Sequence, residues 1–285
     1  MAVMATLPNQ SATSAPLFFA TQQFTSARMK ILGDKLLLPW INDWPVIGVD
    51  KDGDGCGEPV ARYKKPNLGK IYPVETPAES DEFNNRKLGL QWQWHANFQD
   101  GFGLNSEMGF LRMYGYTLTK DFVNLWEVPN LLLQKFPAEK FTATTKLSFS
   151  AKSDDEKAGL VIMGRDYSYL AVLKSGNQFV IQQVICKDAD QKSPEKTVNL
   201  AELPISRNLQ LGAPVYMIDI FIKVKVTEDA MCSFSYSIDG KKYTEIGDKF
   251  KAREGRWIGA KVGFFCINPG DARSKGWLDI DWFRI

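Results

Sequence analysis

The sequence predicts an all-β protein, an antiparallel two-sheet sandwich preceded by a short β remnant. Three observations predict this class: long stretches of alternating apolar and polar residues, short polar turns between them, and no convincing amphipathic helix over roughly 200 residues. A period of two places alternate side chains on a core face and on a solvent face. Repeated along the chain, this pattern favours two stacked sheets over a helical fold.

About ten strands are predicted. The clearest are residues 141–149 and 216–226, in which every second side chain is apolar or a threonine. In residues 232–238, Cys232 falls on the apolar side, and Asp239-Gly240 then supplies a hairpin turn before a strand over 241–243. The other predicted strands are residues 109–118, 160–164, 167–173, 179–186, 257–266 and 277–285.

Four regions are predicted along the chain. Residues 1–29 are rich in Ser, Thr, Gln and Ala and read as a disordered lead-in. Residues 30–60 hold two candidate strands, at 30–38 and 45–49, which are too few to bury a core. Prolines and scattered charges mark residues 61–82 as a linker, and residues 83–285 form the sandwich.

Composition excludes several classes of function. A net charge of +2 with dispersed lysines argues against a dedicated nucleic-acid surface. No window of 18 apolar residues occurs, so no membrane-spanning segment is predicted. The first 20 residues lack the basic and apolar regions of a signal peptide, which leaves localisation unknown, with a cytoplasmic or a periplasmic setting open. Four widely spaced cysteines and a single histidine, His95, predict neither a disulfide framework nor a zinc site.

An acidic loop after Trp40 suggests calcium. Asp50, Asp52 and Asp54 occupy alternate positions and precede Gly55, as in the first half of a calcium-binding loop. The twelfth position, where such a loop places a bidentate Glu, is Ala61, and Glu58 at the ninth position substitutes only in part. The sequence therefore predicts either a calcium site formed by Asp50, Asp52, Asp54 and Glu58 or a solvated acidic turn.

Several segments carry a family resemblance. WINDWPVIGVDKDGDGCGEPV, DEFNNRKLGLQWQWHAN, AGLVIMGRDYSYLAVL, GRWIGAKVGFF and WLDIDWFRI occur in this order over residues 40–285. Together they resemble the C-terminal third of family 43 glycoside hydrolases of the β-xylosidase and α-L-arabinofuranosidase type. In that family a five-bladed propeller precedes a concanavalin-like (jelly-roll) β-sandwich, so the resemblance implies the same sandwich here.

The resemblance also implies which part of the reaction this chain does not carry. The family's general base, general acid and third carboxylate lie in the propeller, and only about 40 residues precede the WPVIG segment here. No residue is therefore assigned a catalytic role. The chain is expected to be an accessory sandwich, inactive alone, of a xylan- or arabinoxylan-degrading hydrolase. Its expected partners are the missing propeller or a second copy of the chain.

Two alternatives stay open: a free-standing xylan-binding module, and more weakly a hydrolase with an unrecognised active site. For the first, Trp92 and Trp94 would share one side of a strand and stack weakly on xylan, or on xylo- or arabino-oligosaccharides, while His95 would bond a hydroxyl. The competing interpretation packs both tryptophans into the core and makes His95 a structural residue. Residues 94–103 are the predicted surface that meets the propeller, and Arg165, Asp166 and Tyr167 are either a second polar cluster or a hairpin turn.

Overall fold

The computed structural model describes residues 40–41, 44–45, 49–53, 69, 78–106, 109–204, 206–210, 213–270 and 275–285. The chain divides into two compact units, residues 1–73 and 74–285. In the first unit, β1 (Trp40–Ile41) and β2 (Trp44–Pro45) pair in antiparallel fashion. The strand predicted over residues 30–38 lies outside the described residues, and β2 overlaps the start of the one predicted over 45–49.

The second unit contains the sandwich, which confirms the predicted fold class. Its strands are β3 (Gln93–Trp94), β4 (Gly103–Ser106), β5 (Phe110–Tyr114), β6 (Tyr116–Thr117), β7 (Leu132–Lys135), β8 (Phe141–Ala151), β9 (Lys157–Met163), β10 (Tyr167–Ser175), β11 (Gln178–Cys186), β12 (Lys196–Pro204), β13 (Ser206–Gln210), β14 (Ala213–Val226), β15 (Met231–Ser237), β16 (Thr244–Lys251), β17 (Lys261–Asn268) and β18 (Trp277–Arg284). Short 3₁₀ turns are the only helical elements within the described ranges, and no described helix is long and apolar enough to cross a membrane.

Two sheets stack face to face. The first has the order β12-β11-β10-β9-β17-β7-β3, with β6 added in parallel to the end of β17. The second has the order β16-β15-β14-β8-β18-β5-β4, with β13 paired to β14. The alternation read from residues 141–149 and 216–226 places their apolar side chains in one core between the sheets, together with Cys232. Burial of these apolar side chains supplies the main driving force for folding.

A second apolar layer covers the outer face of the first sheet. Leu125, Val128 and Leu131, from the segment before β7, pack against Val161 and other residues of the sheet. The sheet is therefore buried on both faces, which explains why residues 157–163 and 167–172 read as nearly continuous apolar runs rather than as alternation.

Five strands of the second unit, β4, β7, β12, β13 and β16, were missed by the sequence patterns, and one predicted strand begins too early. Strands β12 and β16 are edge strands with mostly exposed side chains, so they lack a clear apolar face, and β13 pairs with only one neighbour. The strand predicted over residues 257–266 was wrong at its start, because residues 257–260 form a loop and β17 begins at Lys261. Asp239-Gly240 does form a turn, but the following strand begins at Thr244 rather than at 241.

The C-terminal strand also holds the chain that enters the sandwich. Asp81 forms a backbone bridge with Phe283, and Arg284 makes two hydrogen bonds, 2.7 and 2.9 Å, to Glu82. Ile285 N donates to Ser80 Oγ at 3.0 Å. Residues 80–82, which the sequence assigned to the linker, thus pack against the last strand of the sandwich.

Candidate functional site

Trp92 is a core residue. Its side chain is 7% exposed, and its ring lies 5.7 Å from those of Phe83 and Phe264 and 5.3 Å from that of Phe283, measured between centroids. The indole Nε1 donates to Asp81 Oδ2 at 2.9 Å, so its one polar atom is also satisfied. A ring enclosed in this way offers no face to a sugar. The sugar-binding interpretation of Trp92 is therefore wrong, and the core interpretation is correct.

Trp94 lies on the same side of the chain, as predicted, but is only half-buried. Its ring is 5.5 Å from that of Phe102 and 5.7 Å from that of Phe98. A Cβ atom added at Gly103 would lie 3.3 Å from the Trp94 ring, so a glycine at 103 suits the close approach of strand and indole. Trp94 therefore packs against residues 98–103 and helps to fix their position.

His95 faces the opposite side, toward the second apolar layer. Its Nε2 lies 3.1 Å from the carbonyl oxygen of Trp126, and the two rings meet edge to face. Its Nδ1 is buried without a hydrogen-bond partner. Burial, reinforced by the nearby Lys261 ammonium, lowers the pKa of His95. The three predicted sugar ligands do not converge on one surface, and His95 fits the structural role.

The cluster at Arg165, Asp166 and Tyr167 is a hairpin turn, as the simpler interpretation held. Gly164 N donates to Asp166 O at 3.0 Å across the turn between β9 and β10. Tyr167 is fully buried in the second apolar layer. The carboxylate of Asp166 instead forms an ion pair with Arg253, with 3.0 Å between Oδ1 and Nη2. This ion pair connects the turn to a neighbouring loop.

That neighbouring loop, residues 253–260, carries a feature that the sequence patterns missed. Trp257 is 62% exposed at its tip. Ion pairs hold the flanking residues: Arg253 contacts Asp188 at 2.8 Å, and Arg256 contacts Asp190 at 3.3 Å. Trp257 is the first residue of the strand that was predicted over residues 257–266. The glycines on either side, at 255 and 259, were the available signal for a loop.

A groove of about 240 Å³ opens beside residues 94–103, at the other end of β17. Its lining comes from two short segments and two single residues: residues 99–102, residues 114–117, Asn130 and Lys275. Phe102 is buried beneath it, while Phe98 next to it is 54% exposed. Residues 99–102 of the predicted contact segment thus line this groove, and their contact with a propeller stays a prediction.

Asn130 is the unusual member of this lining. It is completely buried, and its Nδ2 donates to the carbonyl oxygens of Tyr114 and Cys266, both at 3.2 Å. Its Oδ1 has no partner. A buried acceptor without a hydrogen bond costs about 1–3 kcal/mol, so such a group calls for an explanation.

Glu156, which is buried, and Glu195, which is partly buried, are both engaged in structural contacts. Glu156 accepts from backbone nitrogens of two loops, and burial raises its pKa. Glu195 accepts from the Tyr167 hydroxyl at 2.5 Å. Neither lines the groove, and Asp100 is the one carboxylate among its described lining residues.

The predicted calcium ligands are described only in part. Asp50 and Asp52 are exposed, and Asp50 Oδ1 accepts from Gly53 N at 2.6 Å. This contact forms the turn that a cation loop would need, although a plain acidic turn forms it too. Asp54 and Glu58 lie outside the described residues, and within those residues no group of three potential metal ligands occurs. Calcium therefore stays a prediction.

Comparison with known proteins identifies the family of the sandwich. Residues 80–285 match a family model described as the β-xylosidase C-terminal concanavalin A-like domain. A β-xylosidase from Formosa agariphila is 30% identical over 265 residues, covering 86% of this chain and 40% of that protein. A non-reducing end α-L-arabinofuranosidase from Bacteroides ovatus is 24% identical over 250 residues, covering 84% of this chain and 42% of that protein.

Solved structures show the same fold. The crystal structure of a xylan β-1,4-xylosidase from Bacillus halodurans superposes with a TM-score of 0.60 at 20% identity, over 87% of this chain and 45% of that one. A family 43 protein from Bacillus licheniformis gives a TM-score of 0.57 at 22% identity, over 87% of this chain and 45% of that one. The chain thus spans less than half the length of each of these four relatives.

Proposed function

This chain belongs to the family of C-terminal concanavalin A-like domains of β-xylosidases, and we propose that it assists a xylan- or arabinoxylan-degrading hydrolase without hydrolysing glycosides itself. Its place is that of the accessory C-terminal sandwich of family 43 glycoside hydrolases. We also propose that this sandwich contacts a catalytic domain, and that the assembled enzyme acts on a xyloside or an arabinofuranoside.

One observation carries the proposal: among the described residues that line the groove, Asp100 is the only carboxylate. Glycoside hydrolysis by this family's chemistry needs two carboxyl groups on opposite sides of the scissile bond, one protonated and one ionised. The Asp100 side chain is exposed, and Glu156 and Glu195 are held in hydrogen bonds elsewhere. The described lining of this groove therefore does not supply the pair of carboxyl groups that the reaction requires.

The loop that carries Trp257 is the proposed contact with the catalytic domain. An exposed tryptophan on a loop that ion pairs already hold has the two properties of a binding hot spot: a large apolar side chain and little ordering cost on association. Residues 94–103, the contact surface predicted from the sequence, lie at the other end of β17, where residues 99–102 line the groove.

The first test is an activity assay. The purified chain is incubated with aryl β-xyloside and aryl α-L-arabinofuranoside, and the expected result is no turnover. Turnover that Asp100→Asn abolishes while the fold is kept would contradict the proposal, because it would locate the active site in the groove.

The second test measures association with a separately produced family 43 catalytic domain, by calorimetry. Trp257→Ala is expected to weaken this association by about tenfold or more. Ile238→Ala is the matched control, since Ile238 is a similarly exposed apolar residue next to another turn, at 53% exposure. Equal effects of the two variants would show that Trp257 is not the contact.

A further inference from the structure

The groove and the Trp257 loop lie at opposite ends of one strand. Tyr116 of the groove pairs with Ile267 near the end of β17, whereas the loop leads into Lys261 at its beginning. At about 3.3 Å for each step from one residue to the next, the eight residues of β17 span roughly 23 Å between its two ends. A ligand in the groove is therefore distinct from any contact that the loop makes.

Asn130 indicates what such a ligand must provide. Both protons of its amide are donated to backbone carbonyls, which fixes the side chain and leaves Oδ1 as the free polar atom. Asn130 belongs to the lining of the groove, and its Oδ1 can only accept, so a molecule that contacts this atom must donate a hydrogen bond to it. Hydroxyl groups are such donors.

The remaining lining narrows the ligand class. Among the described lining residues, Asp100 and Lys275 bring one negative and one positive charge, and this balance favours a neutral ligand over an anion or a cation. Gln99 adds an amide, and Phe102 and Tyr116 add aromatic surface. Several hydroxyl-bonding groups around an aromatic base match a sugar ring, which has polar edges and apolar faces.

The walls of the groove are fixed before any ligand binds. Tyr114 N donates to Phe102 O at 3.1 Å, and Gly115 N donates to Gly276 O at 2.9 Å. These backbone bonds join the two segments that line the groove and connect them to the start of β18. Little ordering is left to occur on binding, which favours a measurable affinity even for a small ligand.

We propose that this groove is a binding site for one ring of a neutral oligosaccharide, in which a ring hydroxyl donates to Asn130 Oδ1 and further hydroxyls bond to Asp100 and Gln99. A volume of about 240 Å³ suits a single monosaccharide unit rather than a long buried chain. The identity of the sugar, a pentose of xylan or arabinoxylan, rests on the proposed function. The site itself rests on the groove alone.

The test is a titration of the isolated chain with neutral xylo-oligosaccharides, followed by nuclear magnetic resonance. The side-chain amide signals of Asn130 and Gln99 are expected to shift in a saturable manner, and an equal concentration of glycerol is expected to leave them in place. Asp100→Ala should weaken binding by about tenfold, because it removes a charged acceptor of hydroxyl groups. Asp248→Ala is the control, since this equally exposed aspartate lies on β16, away from the groove.

The outcomes of this titration test the groove proposal independently of the proposed function as an accessory domain. Unshifted Asn130 signals, or equal affinities of Asp100→Ala and Asp248→Ala, would overturn the groove proposal and leave the result with the catalytic domain untouched. Saturable shifts with hexose-based oligosaccharides but not with pentose-based ones would support the groove as a sugar site and contradict the proposed substrate.

Discussion

Glu156 holds the backbone nitrogen of Gly276 between its two carboxylate oxygens, each 3.1 Å away. The same carboxylate accepts from Lys152 N and Ser153 Oγ, both at 3.0 Å. A Cβ atom on residue 276 would lie 2.3 Å from Glu156 Oε2, so only glycine permits this contact. The pair fixes the start of β18 directly beside Lys275 of the groove.

Glu156→Gln is expected to destabilise the fold. The amide replaces one acceptor by a donor that faces backbone N–H groups, so the free energy of unfolding should fall by about 1–3 kcal/mol in a denaturant titration. Glu254→Gln, an exposed glutamate on a loop, is the control and should change little. Equal stabilities of the two variants would show that the Gly276 contact is dispensable.

The same residue predicts a pH dependence. Burial raises the pKa of Glu156 above its ordinary value of 4.5, so the folded state holds the proton to higher pH than the unfolded chain. The free energy of unfolding contributed by this group therefore decreases as the pH rises from about 4.5 to the folded-state pKa. Melting temperatures recorded across this window should show a steeper decline in the wild type than in Glu156→Gln.

Trp92→Ala should be among the most destabilising substitutions in the sandwich. It removes a ring enclosed by three phenylalanines and leaves Asp81 Oδ2 without its donor, so a loss of about 3–5 kcal/mol is expected. Leu90→Ala, at a fully exposed apolar residue nearby, is the control and should stay within about 0.5 kcal/mol. Similar losses in chemical denaturation for both variants would contradict the core position of Trp92.

His95 predicts stability loss on mild acidification. Its folded-state pKa lies below the unfolded value of about 6.5, so the unfolded chain binds the proton first as the pH falls, and the free energy of unfolding decreases. Protonation would also place a donor on Nδ1, which has no acceptor. Between about pH 7.5 and 5.5, the melting temperature should fall more in the wild type than in His95→Gln. Parallel curves would mean that His95 titrates normally.

Calcium binding at the acidic loop is tested by thermal unfolding. A cation held by Asp50, Asp52, Asp54 and Glu58 in the folded state should raise the melting temperature as millimolar Ca²⁺ is added, and EDTA should reverse the rise. Asp52→Asn should reduce this shift. A melting curve that neither Ca²⁺ nor EDTA moves is the result expected of a solvated acidic turn.

The sequence predicted the sandwich because its central strands have strong patterns. In β8 and β14 the alternation decides which side chains enter the core, and tertiary structure does not override it. Edge strands such as β12 are held by pairing on one side and carry no apolar face, so periodicity could not reveal them. The start of β17 was misplaced because a hydrophobic residue, Trp257, was taken for a strand residue although it is exposed on a loop.

The site was less predictable for a physical reason. Spacing correctly placed Trp92 and Trp94 on one side of a strand, but it could not decide whether that side meets the other sheet or the solvent. The groove depends on residues far apart in the chain, from Gln99 to Lys275, which only the folded topology brings together. Asn130 carries no local motif at all, and its free oxygen is visible only once its partners are known.

The position of the groove and the Trp257 loop at the two ends of β17 has a kinetic consequence. If the loop marks where a catalytic centre sits and the groove retains a sugar ring, only a polymer long enough to bridge the length of β17, roughly 23 Å, is held at both points. Such a chain would stay associated after each cleavage, whereas short fragments would diffuse away. The length of β17 would then set a minimum substrate length, and long substrates would be bound in preference to the shorter products of their own cleavage.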